Sequence, residues 1–566
     1  MRMLLAPRFS RLLSRTALAT LLPALLTVSL LAGCASAPQS AAGSVQVKLL
    51  AINDFHGQLR PPQGGIRVRD PADAARTVNL PAGGAEHLAT AVNTLRAQNP
   101  NHIFVAAGDL VGATPLLSAL FRDEPTIESL SGMGLEVAAV GNHEFDKGAG
   151  ELLRLQNGGC HAEGCLGPQP YAGARFQYLA ASTVVQATGR TLLPAYHVKR
   201  FEGVPVAFIG LTLAATPSIV VPTGVAGLSF RDEAETVNAL VPKLREQGIE
   251  AIVLLIHEGG LPSGDYNECP GISGPIVGIV GRLDKAVDVV VSGHTHRAYN
   301  CRIDGRLVTS GDRYGTVVTQ IDLRLDRRSG DVVNAVADNV IVRPERFAKD
   351  PWQTALIEAY EARARPLARR VVGRIGATLP REPNAAGETA IGQVIADSQL
   401  AATAGAGAQI ALMNPGGIRA ALTRPDDGLL RVEDLYTVQP FANNLVTLTL
   451  TGAQLLQVLE QQWLGQPMPR ILQVSRGFSY EWDASRAPGQ RVLPGSLRLD
   501  GQPLDMGRGY RVTVNSFLAA GGDNFSVFTS GREATTGMMD IDALEQYMKS
   551  HPELRPGPLE RIGRAP

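Results

Sequence analysis

The chain is poor in the features that would mark a nucleic-acid-coating, cysteine-stapled or zinc-ribbon protein. Only 19% of its 566 residues are charged, and Lys plus Arg (53) equals Asp plus Glu (53). No stretch beyond the first residues is strongly basic, so no electrostatic footprint for duplex nucleic acid is expected, and any nucleic-acid substrate should be small. Cysteine is scarce, five in all, and the spacings of Cys160, Cys165, Cys269 and Cys301 do not match the paired short spacings of structural zinc sites. No internal repeat appears, and low-complexity sequence is confined to the leader and the tether after it. Histidine is scarce as well, ten in the whole chain, yet its distribution is uneven: His56, His143, His257, His294 and His296 all fall in short polar segments that follow apolar runs.

A length of 566 residues exceeds what one hydrophobic core usually serves, and 45% hydrophobic content is ordinary for a soluble globular protein, so two large domains are expected. The first residues are different. Arg2, Arg8, Arg11 and Arg15 precede an apolar stretch from about Ala17 to Leu31 and then Leu31-Ala32-Gly33-Cys34, the pattern of an export signal. Its ending resembles the bacterial lipoprotein box, which makes Cys34 the expected site of acylation. A plain signal peptide is the rival reading; a membrane-spanning anchor is disfavoured by the short apolar core. Residues 34–44, rich in Ala, Ser, Pro and Gln, read as a tether. In an oxidising compartment the four remaining cysteines are expected as disulfides, Cys160 with Cys165 and Cys269 with Cys301.

Apolar runs recur from Val45 to Ile52, Ile103 to Ala107, Val137 to Val140, Val204 to Leu211, Ile249 to Ile256 and Ala286 to Val291, and each reads as a buried strand. Amphipathic stretches between them, such as Ala85 to Arg96, Glu124 to Met133 and Asp232 to Gln247, read as helices. This alternation implies α/β layers. The polar segments lie just past the strands, where open α/β sheets bind ligands. After Asp322 the pattern changes: Pro351 to Arg370 reads as a charged connecting helix, and from Val371 a second alternation begins, with a buried helix over Thr389 to Thr403 and strands over Val446 to Leu450 and Tyr510 to Val514.

The residue types in the polar segments suit a two-metal hydrolytic site. Asp54 and His56, two apart at a strand end, project to one side if the extended geometry persists. Asp109 has two oxygens and is the candidate bridge between cations about 3.5–4 Å apart. Asn142 offers an amide oxygen, and His257, His294 and His296 offer imidazole nitrogens. Such an N/O donor set without thiolate fits Zn, Mn, Co or similar divalent ions. His143 and Asp146, three apart at the start of a helix, can face the same way, a carboxylate orienting an imidazole that protonates a leaving group.

The segments NDFHG, GDLVGATP, GNHEFD, IHEGG and SGHTH resemble those of the calcineurin-like metallophosphoesterases, and their order resembles the 5'-nucleotidase branch. Asn414-Pro415-Gly416-Gly417-Ile418-Arg419, Gln439-Pro440-Phe441-Ala442-Asn443 and Asn515-Ser516-Phe517-Leu518-Ala519-Ala520-Gly521-Gly522-Asp523 are similar to that family's C-terminal domain. The resemblance implies a four-layer α/β sandwich over 45–345, a linker helix over 346–370 and a C-terminal α/β nucleotide-binding domain over 371–566, preceded by a signal peptide (1–33) and the tether (34–44). It also implies two divalent metal ions, one held by Asp54, His56, Asp109 and His296, the other by Asp109, Asn142, His257 and His294, with His143 and Asp146 as the catalytic pair. Phe441 and Phe517 would sandwich the base, Asn443 and Asp523 would hydrogen-bond the nucleoside, and Arg419 would meet phosphate. Gly417 and Arg381 complete the expected substrate-binding set.

The expected activity is hydrolysis of a nucleoside monophosphate, with UDP-sugars and 2',3'-cyclic nucleotides as further candidate substrates. The expected form is a monomer, exported and held to the bacterial envelope only by a lipid at Cys34. Domain closure about the connecting helix is expected to bring base and metals together. Two rivals remain: a thiosulfohydrolase of the same superfamily, which the two phenylalanine segments disfavour, and a surface lipoprotein that captures nucleotide or metal without turnover, for which a proton donor such as His143 would be superfluous.

Overall fold

The computed structural model describes residues 43–565 apart from Glu163 and Pro552. The signal segment, Cys34 and most of the tether therefore lie outside the described residues. No helix among the described residues is long and apolar enough to cross a membrane.

Strand Ser44–Ile52 sits inside a six-stranded sheet whose order is 332–341, 317–326, 44–52, 102–107, 137–139, 177–179. It runs parallel to His102–Ala107 and antiparallel to Val317–Asp326. From Leu49 on, its residues are apolar on both faces because both are covered, as expected of an inner strand. Val45, Val47, Leu49 and Ala51 point into a core shared with a second six-stranded sheet. Leu50 and Ile52 point the other way, into helices Ala85–Arg96, Glu124–Met133 and Pro351–Ala368.

The second sheet has the order 298–303, 306–311, 289–292, 251–257, 204–212, 196–201, and its far face is covered by helices Glu233–Glu246 and Pro275–Arg282. The result is an α/β/β/α sandwich of four layers. Strands Val204–Thr212 and Ala251–His257 are almost wholly buried, each large aliphatic contributing about 1.5–3 kcal/mol. The strands that end in the polar segments run parallel to their neighbours, 44–52, 102–107 and 137–139 in the first sheet and 204–212, 251–257 and 289–292 in the second, so their carboxyl ends, with the polar segments, come to one edge.

The connecting helix, Pro351–Ala368, is capped by the Asp350 side chain, which accepts from Gln353 N. It is docked on the first domain: Gln353 Nε2 donates to Ser129 O (3.0 Å), Ser129 Oγ donates to Gln353 Oε1 (2.7 Å), and Tyr360 packs edge-on against Phe121. Its buried face belongs to the outer layer of the first domain.

Beyond it, a five-stranded sheet of order 473–474, 410–413, 509–515, 444–451, 532–539 is covered by helices that include Ala390–Ala402 and Gly452–Glu460. Leu116 of the first domain joins the apolar cluster of Ile391, Leu435 and Ile541 in the second. The cysteines pair as Cys160–Cys165 and Cys269–Cys301.

Candidate active site

The polar segments converge at the shared strand edge. Three groups of side chains have ligand atoms within 4.8 Å of one another: Asp54 with His56 and His296, His56 with Asp109 and His143, and Asp109 with His257 and His294. Six of the seven expected metal ligands are thus brought together; the seventh, Asn142, is buried one residue before His143.

The local backbone differs from expectation. Asp54 and His56 do not continue the strand in extended form; both adopt positive φ (50° and 47°), as do Asp109 (51°), His294 (69°) and His296 (54°). Non-glycine residues in this region cost of order 1–3 kcal/mol each and persist only where surroundings enforce them. Here a glycine would relieve the strain but could supply no ligand. Likewise His143 and Asp146 stand on a single 3-10 turn, His143–Phe145 with Asp146 as its cap, rather than on a longer helix.

What enforces the geometry is a set of buried polar bonds. Glu144 accepts from the backbone N–H groups of Gly141 (2.6 Å), Leu110 (2.8 Å) and Asp109 (3.0 Å), tying two ligand loops together. Burial, reinforced by the Asp109 charge, pushes its carboxyl up to about 7. Asn53 donates to Asp54 Oδ2 (2.7 Å) and accepts from Gly311 N (2.7 Å), and His294 N donates to the Asp54 carboxylate. Neither Asn53 nor Glu144 was singled out by the sequence, although both lie inside the ligand-bearing segments; a polar residue beside each ligand was the available signal.

Two of the histidines have one nitrogen committed to the scaffold. His56 Nδ1 lies 2.8 Å from Gly112 O and His257 Nδ1 lies 2.7 Å from Ala107 O, which fixes the N–H there and aims Nε2 into the site. His257 Nε2 and Asn142 Oδ1 are buried and lack a hydrogen-bond partner; His257 Nε2 stands 2.9 Å from Asp109 Oδ2 as an ion-pair contact. Burial drives the His294 imidazole down to about 3, against the pull of the carboxylates, and lowers those of His56 and His296. Burial lowers the His257 pKa, but the Asp109 carboxylate outweighs that and holds it up at about 10, so His257 would give up a proton when imidazoles, carboxylates and the Asn142 amide oxygen serve as the donor set of a divalent cation.

His143 lies at the rim. Its Nδ1 is 2.7 Å from Asp146 Oδ2, and its backbone N–H donates to Asp109 Oδ1 (2.9 Å). Burial lowers its pKa, but the Asp146 and Asp109 carboxylates outweigh that and hold it above the ordinary imidazole value. The shift favours the protonated form that a donor needs. Against it, ring to ring, lies Phe441 of the second domain, with centroids 5.8 Å apart and planes 24° apart. Lys147 Nζ donates to Phe441 O (3.3 Å), and the Arg419 guanidinium lies 5.8 Å from the Phe441 ring centre.

The other expected substrate residues are placed as follows. Arg381 and Arg419 line the same cleft as His143, His294 and His296. Asn443 Oδ1 accepts from Ser516 Oγ (3.3 Å), and Phe517 is half-buried against Gly522, where a Cβ would overlap its ring. Asp523, at φ 56°, is held by Asn414 Nδ2 (2.8 Å) and by an ion pair with Arg470. Gly417 closes the short turn Pro415–Gly417, where a Cβ would strike Met413. Arg470 and Arg313, whose Nη1 stands 3.3 Å from His296 Nδ1, went unnoticed in the sequence because neither belongs to a recognisable segment.

Fold and site together define a two-domain phosphoesterase. Residues 47–298 match the family model described as calcineurin-like phosphoesterase, and residues 371–530 match that described as 5'-nucleotidase, C-terminal domain. The chain is 32% identical to the endonuclease YhcR of Bacillus subtilis over 92% of its own length, although it spans only 40% of that protein, and 32% identical to the cell wall protein Lmo0130 of Listeria monocytogenes over 90% of its own length and 68% of the other. The crystal structure of a 5'-nucleotidase precursor from Thermus thermophilus superposes with a TM-score of 0.75 at 27% identity, covering 92% of this chain and 99% of that one. This chain belongs to the 5'-nucleotidase family.

Proposed function

We propose that the protein hydrolyses nucleotide phosphoesters, releasing phosphate from nucleoside monophosphates. The observation that carries this reading is the stack of Phe441 on His143: the aromatic residue of the nucleoside segment stands directly against the proton donor beside the ligand cluster. A capture protein has no use for that pairing, and a thiosulfohydrolase has no use for a base platform.

Divalent cations held by Asp54, His56, Asp109, Asn142, His257, His294 and His296 would supply positive charge opposite the phosphoryl oxygens and acidify the attacking water. His143, oriented by Asp146, gives its proton to the departing ribose oxygen. Arg419 and Arg381 neutralise phosphate charge through guanidinium forks. Phe441 and Phe517 hold the base by stacking, which tolerates base identity, and Asn443 and Asp523 bond the nucleoside.

The reading extends to the leader: export, acylation at Cys34 and action as a monomer at the envelope. A Cys34→Ala variant that stays in the membrane fraction would contradict the anchor. For the activity, phosphate release from AMP is measured with protein lacking residues 1–34, with and without added Mn or Zn. Metal-dependent release is expected, and UDP-glucose and 2',3'-cyclic AMP then define breadth; metal-replete protein that is inactive on every nucleotide refutes the reading.

A further inference from the structure

The cleft over the ligand cluster is larger than a mononucleotide needs and extends in an unexpected direction. It encloses about 1370 Å³, against the ~300–1,000 Å³ usual for small-molecule sites. His143, His294 and His296 lie in its lining, as do Arg381 and Arg419 of the second domain, but Phe441, Asn443, Phe517 and Asp523 do not. The nucleoside residues therefore account for none of this wall. One wall is instead a β-hairpin, Ile66–Asp70 and Asp73–Leu80.

The hairpin is a built arm. Ile66 and Val68 bury one face against Val78, Leu80, Val317 and Tyr266. Strand alternation then turns Arg67, Arg69, Thr77 and Asn79 to the opposite face, where the register pairs Arg67 with Asn79 and Arg69 with Thr77. Arg69 forks onto Glu268 with two bonds of 2.7 Å, and its backbone N–H donates to Asp265 (3.2 Å). Glu268 precedes Cys269, whose disulfide to Cys301 anchors that loop on strand Ala298–Ile303. The Arg69 charge is thus answered.

Other guanidiniums of the cleft are not. Arg67 spends only Nε, on Thr77 Oγ1 (2.7 Å), and Arg76, Arg297, Arg381 and Arg419 form no ion pair with a carboxylate among the described residues. Cations left unpaired around one cleft invite an anion on each side of the ligand cluster.

We propose that the 66–80 hairpin is a second phosphate-binding arm, which holds a phosphate beyond the scissile one and admits short single-stranded oligonucleotides as substrates. This rests on the phosphoesterase reading above. A nucleoside triphosphate cleaved at its terminal phosphorus would lie between ligand cluster and nucleoside residues and leave the hairpin unused; a phosphodiester chain continues past the scissile phosphorus toward it. In that reaction water oxygen bonds to phosphorus and the bond from phosphorus to the 5'-oxygen breaks. The His143 proton passes to that oxygen, and the neighbouring nucleotide keeps the phosphate as a 3'-monoester.

The test uses the full chain loaded with Mn, a fluorescent single-stranded thymidylate hexamer as probe, and the variants Arg67→Ala/Arg76→Ala and Arg76→Glu, both on exposed positions. Hexamer affinity should fall about tenfold in the double variant, and the slope of log affinity against log salt should flatten by about 1.4, as for two phosphate contacts on a single strand. AMP and ATP hydrolysis should stay within about twofold. The proposal is overturned if the unaltered protein does not bind the hexamer, if the variants bind it equally, or if AMP and ATP suffer as much as the hexamer. Hexamer binding that depends on these arginines in a protein inactive on AMP would sink the nucleotidase reading and leave the arm standing.

Discussion

At the sheet edge five of the seven ligand-type residues stand at positive φ, buried or half-buried and braced by Glu144 and Asn53. In the second domain, outside the lining of the cleft over the ligand cluster, Phe441, Asn443 and Phe517 are half-buried, and Asp523 is already engaged by Asn414 and Arg470. The two regions hold their groups by different means. The first spends backbone strain to fix donor atoms, and the four-layer sandwich supplies the rigidity that strain requires. The second presents aromatic faces that a bound base would complete. Small changes should therefore be catastrophic in the first region and graded in the second.

The sharpest break is Gly141→Ala. A Cβ there would overlap the Asp109 carboxylate, so the variant should lose divalent-metal retention and all measurable turnover, with about 1–3 kcal/mol of stability lost to overpacking; metal content by mass spectrometry and thermal unfolding check both. Next is His143→Ala, for which kcat should fall about 10²–10⁴-fold while AMP affinity, read by calorimetry, holds. A variant that keeps its turnover would remove His143 from the mechanism. On the other face Phe441→Ala should raise KM for AMP by about tenfold, from a stacking loss of about 1–3 kcal/mol. A change confined to kcat would mean that Phe441 serves to seat His143 and not to hold the base.

Much of the first region was legible because its strands are continuous apolar runs that stop at polar segments. The helices Ala85–Arg96 and Glu124–Met133 have the bounds their periodicity predicts. Edge strands were less visible: Val332–Ile341 exposes Val333 and Val336 and so lacks clean alternation, and the arginine-rich hairpin at 66–80 is not among the expected strands. Nor does sequence announce left-handed Asp and His residues, since the conformation is imposed by neighbours remote in the chain. The arginines of the cleft were hidden for a different reason. A balanced total charge says nothing about where folding gathers one sign, and residues as far apart as Arg67 and Arg419 share one wall only once the two domains are in place.

The smallest effect expected is a titration on the nucleoside face near neutral pH. Asp540 begins the helix Asp540–Ser550, its N–H donates to Asn443 O (2.8 Å), and its carboxyl bonds the Ile541 N–H and the Asn443 side chain. Burial raises its pKa to about 7, well above the ~3.9 of an unfolded aspartate. The folded state then binds more protons than the unfolded state between these values, so this group's contribution to stability declines as pH rises from about 4 to about 7 and is level above that. Asp540→Asn keeps an acceptor for Ile541 and removes the titration. Its unfolding temperature should match the parent near pH 4 and exceed it by a few degrees at pH 8, with KM for AMP losing any pH dependence that passes through Asn443. If parent and variant show the same unfolding profile from pH 4 to 8, the Asp540 carboxyl is ionised without cost, and the second region is as fully braced as the first.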